Sequence, residues 1–291
     1  ALLFTLLLVS QTYGVDADQE TQEKITPFTK DNLVAWCIVP FDAKKRNPEE
    51  RAQMLNRLGI TRLAYDWRAN DIPFFEEEID ALAKHQIKLE AFWLSTSLTP
   101  EKDENAQLIM NLLKRKKAPA QIWVMLNPPN EMTESERIDA CAQAIRTLAE
   151  QAQTFGGSIG LYNHGGWFGE PENQIKIIEQ VHLPNVGIVY NFHHGHEHVS
   201  RFPEMFKKIQ PYLLAVNLNG MRAEGPQILP IGEGQFEQDM IRCILESGYR
   251  GPIGILDHRD ELDAEESLKQ NLNGLQKVLK EIGDLEALKT Y

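Results

Sequence analysis

Cysteine is nearly absent, with Cys37, Cys141 and Cys243 spread over a 291-residue chain. Such spacing makes no disulfide framework, and each lies in an apolar run where a small buried hydrophobe is the simplest reading. Positive charge is also in deficit: 30 Lys and Arg face 42 Asp and Glu, a formal net charge of -12. That balance excludes the broad basic face that nucleic acid or an anionic membrane requires. The one basic run, Lys114 to Lys117, falls at the end of an expected helix, where cations complement exposed carbonyls. No apolar stretch reaches the ~20 residues needed to cross a bilayer. The opening ALLFTLLLVS is shorter, and reads as the apolar region of a secretory signal peptide. The expectation is a signal remnant over 1–14, a polar leader over 15–30, and a periplasmic or secreted protein with no membrane insertion after cleavage. Glycine is missing where a dinucleotide fold would need it: VPFDAKKRN, after the first apolar run, has none, which disfavours a doubly wound open sheet.

What is present is a core and a period. Hydrophobic residues make up 42% of the chain, ample for one large domain. From Asp31 onward, β-like runs alternate with amphipathic helical runs. Strands are expected at Leu33–Val39, Thr61–Trp67, Lys88–Leu94, Gln121–Asn127, Ser158–Asn163, Val186–Asn191, Leu213–Leu218 and Ile253–Asp257. Helix signals fall between them. Asn47 caps a helix that opens on Pro48 and stops at Gly59, and Thr133 with Glu136 forms a capping box. Units of about thirty residues, eight in number, are what a closed (β/α)8 barrel requires. The fold class is therefore α/β, a single (β/α)8 TIM barrel over 31–282, followed by a C-terminal tail at 283–291.

In such a barrel, chemistry gathers at the C-terminal ends of the strands. Those ends supply Trp36, Asp66 with Arg68, Glu90 with Trp93, Asn127, Tyr162 with Asn163 and His164, Asn191, Asn217 with Asn219, and Asp257 with His258. The sixth run continues into FHHGHEH, which places His193, His194, His196 and His198 within six residues. Imidazole is the side chain that titrates near neutrality and is also a common metal ligand. A mouth rich in amides, carboxylates and aromatic rings suits a carbohydrate, whose hydroxyls want planar partners and whose C–H faces want rings.

The element order, with LYNHGGW, VGIVYNFHHGH, LLAVNLNG, IGEGQF and GPIGILDH, resembles the xylose-isomerase-like TIM barrels of the sugar phosphate isomerase/epimerase superfamily over roughly Asn32 to Leu279. The resemblance implies one divalent metal, Mn, Zn or Mg, held at the ends of strands five to eight. The positions matching its ligands are Tyr162, Asn191, Asn217 and Asp257. Only one of these is anionic, so the usual ligand set is not retained. A rebuilt site would use His164 with His194 or His196 and a nearby carboxylate.

The resemblance implies a carbohydrate substrate and abstraction of a proton beside a sugar carbonyl. The catalytic candidates are His164, His194, Asp257 and Glu90. The substrate-binding candidates are Tyr162, Asn163, Asn191, Asn217, Asn219, Trp36 and Trp93. The expected function is an exported carbohydrate isomerase or epimerase. The alternatives are a lyase acting on 3-keto-glycosides and a noncatalytic sugar-binding barrel. Partners are a small-molecule carbohydrate and, for an oligomer, further copies of the chain, with no nucleic acid.

Overall fold

Eight parallel strands hydrogen-bond in sequence order, and the first pairs with the last to close a barrel. They are β1 (Leu33–Trp36), β2 (Arg62–Tyr65), β3 (Lys88–Thr96), β4 (Gln121–Leu126), β5 (Ser158–Tyr162), β6 (Val186–Asn191), β7 (Leu213–Leu218) and β8 (Ile253–Leu256). This is a computed structural model that describes residues 26–291. The expected signal remnant and most of the leader lie outside the described residues. The end of the leader and the tail both pack on the barrel: Phe28 is buried, Thr26 donates to Asp284, and the Tyr291 hydroxyl donates to the Phe28 carbonyl.

Local chemistry sets the helices. Asn47 Oδ1 accepts from the Glu50 amide at 2.9 Å, and Glu50 returns the contact to the Asn47 amide. Pro48 opens that helix, and Gly59, at φ 68°, closes it. Thr133 and Glu136 form the same reciprocal pair at the start of Glu134–Gln153.

Alternation along each strand separates two cores. One side faces the helices. The other fills the barrel, where Val34, Ala64, Ala91, Trp123, Val189 and Ala215 pack together. Trp36 meets Trp123 edge-on at 4.7 Å, and Tyr162 stacks parallel to Trp123 at 6.1 Å. Small residues accommodate these rings: at Gly160 a Cβ would collide with Val189 and crowd Trp123. Burying rings of this size, each covering some 150–250 Å², makes the lower barrel a solid plug and its aromatic top the floor of a cup.

Candidate active site

Above that floor lies a cavity of about 340 Å³ at the C-terminal mouth. Its wall runs from Trp36 and Cys37, past Asp66 and Arg68 after β2 and Trp93 in β3, to Tyr162 and His164. Asn191, His193, His194 and His258 close it.

Asp66 enters by strand parity: Ala64 points into the barrel, and so does the residue two positions on. The side chain is 2% exposed, and Oδ1 accepts from the Val39 amide at 3.4 Å. Oδ2 has no hydrogen-bond partner among the described residues. Burial lifts the carboxyl to about 7, against the downward pull of the Arg68 charge. Cys37, just after β1, sits at φ 59°, a left-handed conformation costly for a non-glycine residue. Its thiol is pushed well above the ordinary value by burial and by Asp66, so it is not a thiolate nucleophile.

Four imidazoles line the same cavity. His164 and His194 rings are 4.3 Å apart, His194 and His193 4.4 Å, and His193 and His258 5.5 Å. Burial, reinforced by mutual repulsion, brings His194 down to about 3 and His193 to about 4. His164 and His258 are lowered as well, again mainly by burial. At neutral pH the arc is therefore uncharged, and each ring offers one N–H donor and one acceptor.

Of these, His193 and His194 stand on a 3-10 helix, Phe192–Arg201, which Asn191 begins by accepting from the His193 amide at 3.1 Å. The other end of the Asn191 amide donates to the Tyr162 hydroxyl. Asn191 thus ties the phenol to the turn that carries His193 and His194. Gly195 is required because a Cβ there would strike the Tyr190 hydroxyl.

A model of the family described as xylose isomerase-like TIM barrel matches residues 28–278. The chain belongs to this family. Among solved structures, this xylose isomerase-like barrel is similar to the IOLI protein solved with a zinc atom, at TM-score 0.67 and 16% identity, covering 86% of this chain and 98% of that one. It is similar to the 3-keto-D-glucoside 4-epimerase YcjR from E. coli, at TM-score 0.66 and 13% identity, covering 86% and 100%. It is also similar to the probable 3-DHS dehydratase AsbF from Bacillus anthracis, at TM-score 0.64 and 14% identity, covering 84% and 98%. At these identities the likeness is one of fold. No curated protein sequence matches the chain.

The divalent metal implied by such relatives does not fit the residues of this xylose isomerase-like barrel. Of the four matching positions, Tyr162 and Asn191 are bonded to each other. Asn217 is a neutral amide lying over Gly254, buried and without a partner. Asp257 faces away from the cavity. Of the two partners expected for His164 in a rebuilt site, His194 shares its cavity, whereas His196 turns away, its Nε2 2.6 Å from the Arg222 carbonyl. Among the described residues no group of three His, Cys, Asp or Glu side chains is placed to hold a metal ion.

Several expected site residues are displaced. Glu90 is the third residue of β3 and so lies toward the opposite end of the barrel, 2.8 Å from Lys88 Nζ and 3.4 Å from Arg62. It is not a catalytic group of the mouth. Asp257 follows Leu256, which points inward, so its carboxylate faces the helix Ala264–Ile282 and accepts from Ser267 Oγ at 2.6 Å. His258 takes the cavity position instead. Asn163 points outward and clamps the Asn191 backbone, accepting from its N–H at 2.8 Å and donating to its carbonyl at 3.1 Å. Asn219 braces the loop after β7 through Gly220 and Gln227 carbonyls. Neither Asn163, Asn217 nor Asn219 lines the cavity, whereas Tyr162, His164, Asn191, His194, Trp36 and Trp93 do. Asp66, Arg68, His193 and His258 line the cavity alongside them, and Asp66, Arg68 and His258 share the parity of the inward-facing Ala64 and Leu256.

Asp66 also has a measurable effect on stability. Its folded value, about 7, lies above the ordinary 3.8, so between those pH values the native state holds a proton that the unfolded chain has released. Stability from this group is fully present below pH ~4 and lost as pH rises through 7. Asp66→Asn is expected to be more stable than the parent above pH 7, by on the order of 2 kcal/mol. The difference should grow between pH 4 and 7 and stay flat above. Urea unfolding at pH 5 and pH 8 checks this, and a pH-independent difference would contradict it.

Proposed function

We propose that this barrel is a carbohydrate isomerase or epimerase that moves a proton next to a sugar carbonyl, with Asp66 as the base. The observation that carries the reading is a buried carboxylate held near neutrality, with one oxygen free of a hydrogen-bond partner among the described residues, in the wall of an aromatic-floored cavity large enough for a sugar ring. A base works best when its pKa lies close to the operating pH. Trp36, Trp93 and Tyr162 offer rings to the sugar's C–H face. Neutral His164 and His194 can donate N–H bonds to the carbonyl oxygen as negative charge develops there. A keto-glucoside epimerase built on the same barrel supports this class of substrate. Export is part of the proposal and rests on the apolar run Ala1–Ser10 alone.

The test is incubation with free ketoses and aldoses, and with 3-keto-glucosides, in deuterated buffer, followed by NMR. Deuterium entering the carbon beside the carbonyl, with a new isomer or epimer, is the expected result. Exchange accompanied by release of the aglycone would reassign the product step to a lyase while keeping the base. Binding without exchange at any substrate would replace the enzyme by a sugar-binding barrel.

A further inference from the structure

Among the described residues, Arg68 is the only lysine or arginine lining the cavity. Arg46, Arg51 and Arg201 each hold a carboxylate at ion-pair distance, but Arg68 has none among the described residues. Its guanidinium makes one protein hydrogen bond there, from Nη1 to the Trp67 carbonyl at 2.8 Å. The guanidinium carbon lies 5.4 Å from the Phe41 ring centre and 6.0 Å from that of Trp93. Aromatic faces hold a guanidinium by cation–π attraction without neutralising it, and leave its in-plane N–H groups open for a bidentate acceptor. The neighbouring Asp66 carboxylate is directed instead to the Val39 amide. The remaining polar wall is imidazole and amide, which can donate hydrogen bonds but supplies little charge at neutral pH.

From this geometry we infer that the ligand carries a carboxylate, as sugar acids do, and that Arg68 anchors it. The inference rests on the proton-transfer reading above and names its substrate class. While the Asp66 carboxyl keeps its proton, a single guanidinium surrounded by neutral donors balances one negative charge. A phosphate dianion would leave charge uncompensated in a half-enclosed site. The bare cation matters more because the protein as a whole carries -12, a field that repels anions everywhere except where it is locally reversed.

Calorimetric titration tests the assignment with D-glucuronate and D-gluconate, set against D-glucuronamide, D-glucose and D-glucose 6-phosphate. The acids should bind at least about tenfold more tightly than the amide and glucose. Arg68→Met should remove that preference, Arg68→Lys should retain part of it, and far-ultraviolet dichroism should be unchanged in both. Equal affinity for acid and amide, no binding of the acids, tighter binding of the phosphate, or an acid preference that survives in Arg68→Met each overturns the inference. Solvent exchange is measured separately, on keto acids as well as neutral ketoses, so the base assigned to Asp66 and the anchor assigned to Arg68 can each fail alone.

Discussion

Asp66→Asn is expected to lower proton exchange at the substrate carbon by about 10²- to 10⁴-fold, the usual contribution of a positioned general base. Asparagine has the same shape and keeps an oxygen for the Val39 amide, so the wall of the cavity should stand. What it removes is the unengaged Oδ2, the one oxygen on the cavity wall that can both accept a proton and carry the charge it leaves behind. KM should change little and kcat should take almost the whole loss, because the carboxylate is called on in the transition state more than in binding. In the parent, the exchange rate should rise with pH as the carboxyl ionises near 7. An asparagine variant within tenfold of the parent would remove Asp66 from the role of base. The same variant should be more stable above neutrality, and loss of rate with gain of stability is what a frustrated catalytic group produces.

Arg51→Met should cost about 3–5 kcal/mol of folding stability, as the removal of one partner of a buried ion pair does. Arg51, on the helix Pro48–Leu58, and Glu78, on the helix Phe75–Lys84, bond to each other where two neighbouring helices meet. Glu78 is 1% exposed and its Oε1 has no other partner among the described residues. Burial lifts this carboxyl to about 7 despite the arginine beside it. Without Arg51, Glu78 is left either charged and dry or protonated at a cost that grows with pH. The destabilisation should therefore be larger at pH 8 than at pH 5. Adding Glu78→Leu should recover most of it, since an apolar side chain removes the stranded charge and fills the same gap. Urea unfolding of both variants measures this. A loss below about 1 kcal/mol in the single variant, or no recovery in the double, would show that the pair is solvated in solution.

The architecture was legible because it is written in local terms. Hydrophobic periods, turn glycines and helix caps such as Asn47 and Thr133 act within a few residues, and each survives into the structure unchanged. The pool of strand-end residues was legible for the same reason, and it contained Asp66, Arg68 and His258. Which members of the pool meet was not legible, because a strand alternates with a period of two and a slip of one residue exchanges the inner face for the outer. At the end of β8 that parity selects His258 and turns Asp257 toward Ser267. In β3 a register shift against β2 falls beside Glu90, and the residue's place at the start of the strand puts it with Lys88 and Arg62, far from the mouth.

The histidine run divides in the same way. The four residues are neighbours in the chain, but the 3-10 turn sends His193 and His194 into the cavity, His196 to the Arg222 carbonyl and His198 to Tyr190 and Glu170. By itself, the order of residues determined a closed barrel and its acidic charge, and pointed to the strand ends as the place to look for a site. Only the packed structure decided that a carboxylate after β2 would be buried in the cavity wall together with a guanidinium that has no carboxylate partner among the described residues. Desolvation and facing depend on neighbours brought from distant parts of the chain, and no local pattern encodes them.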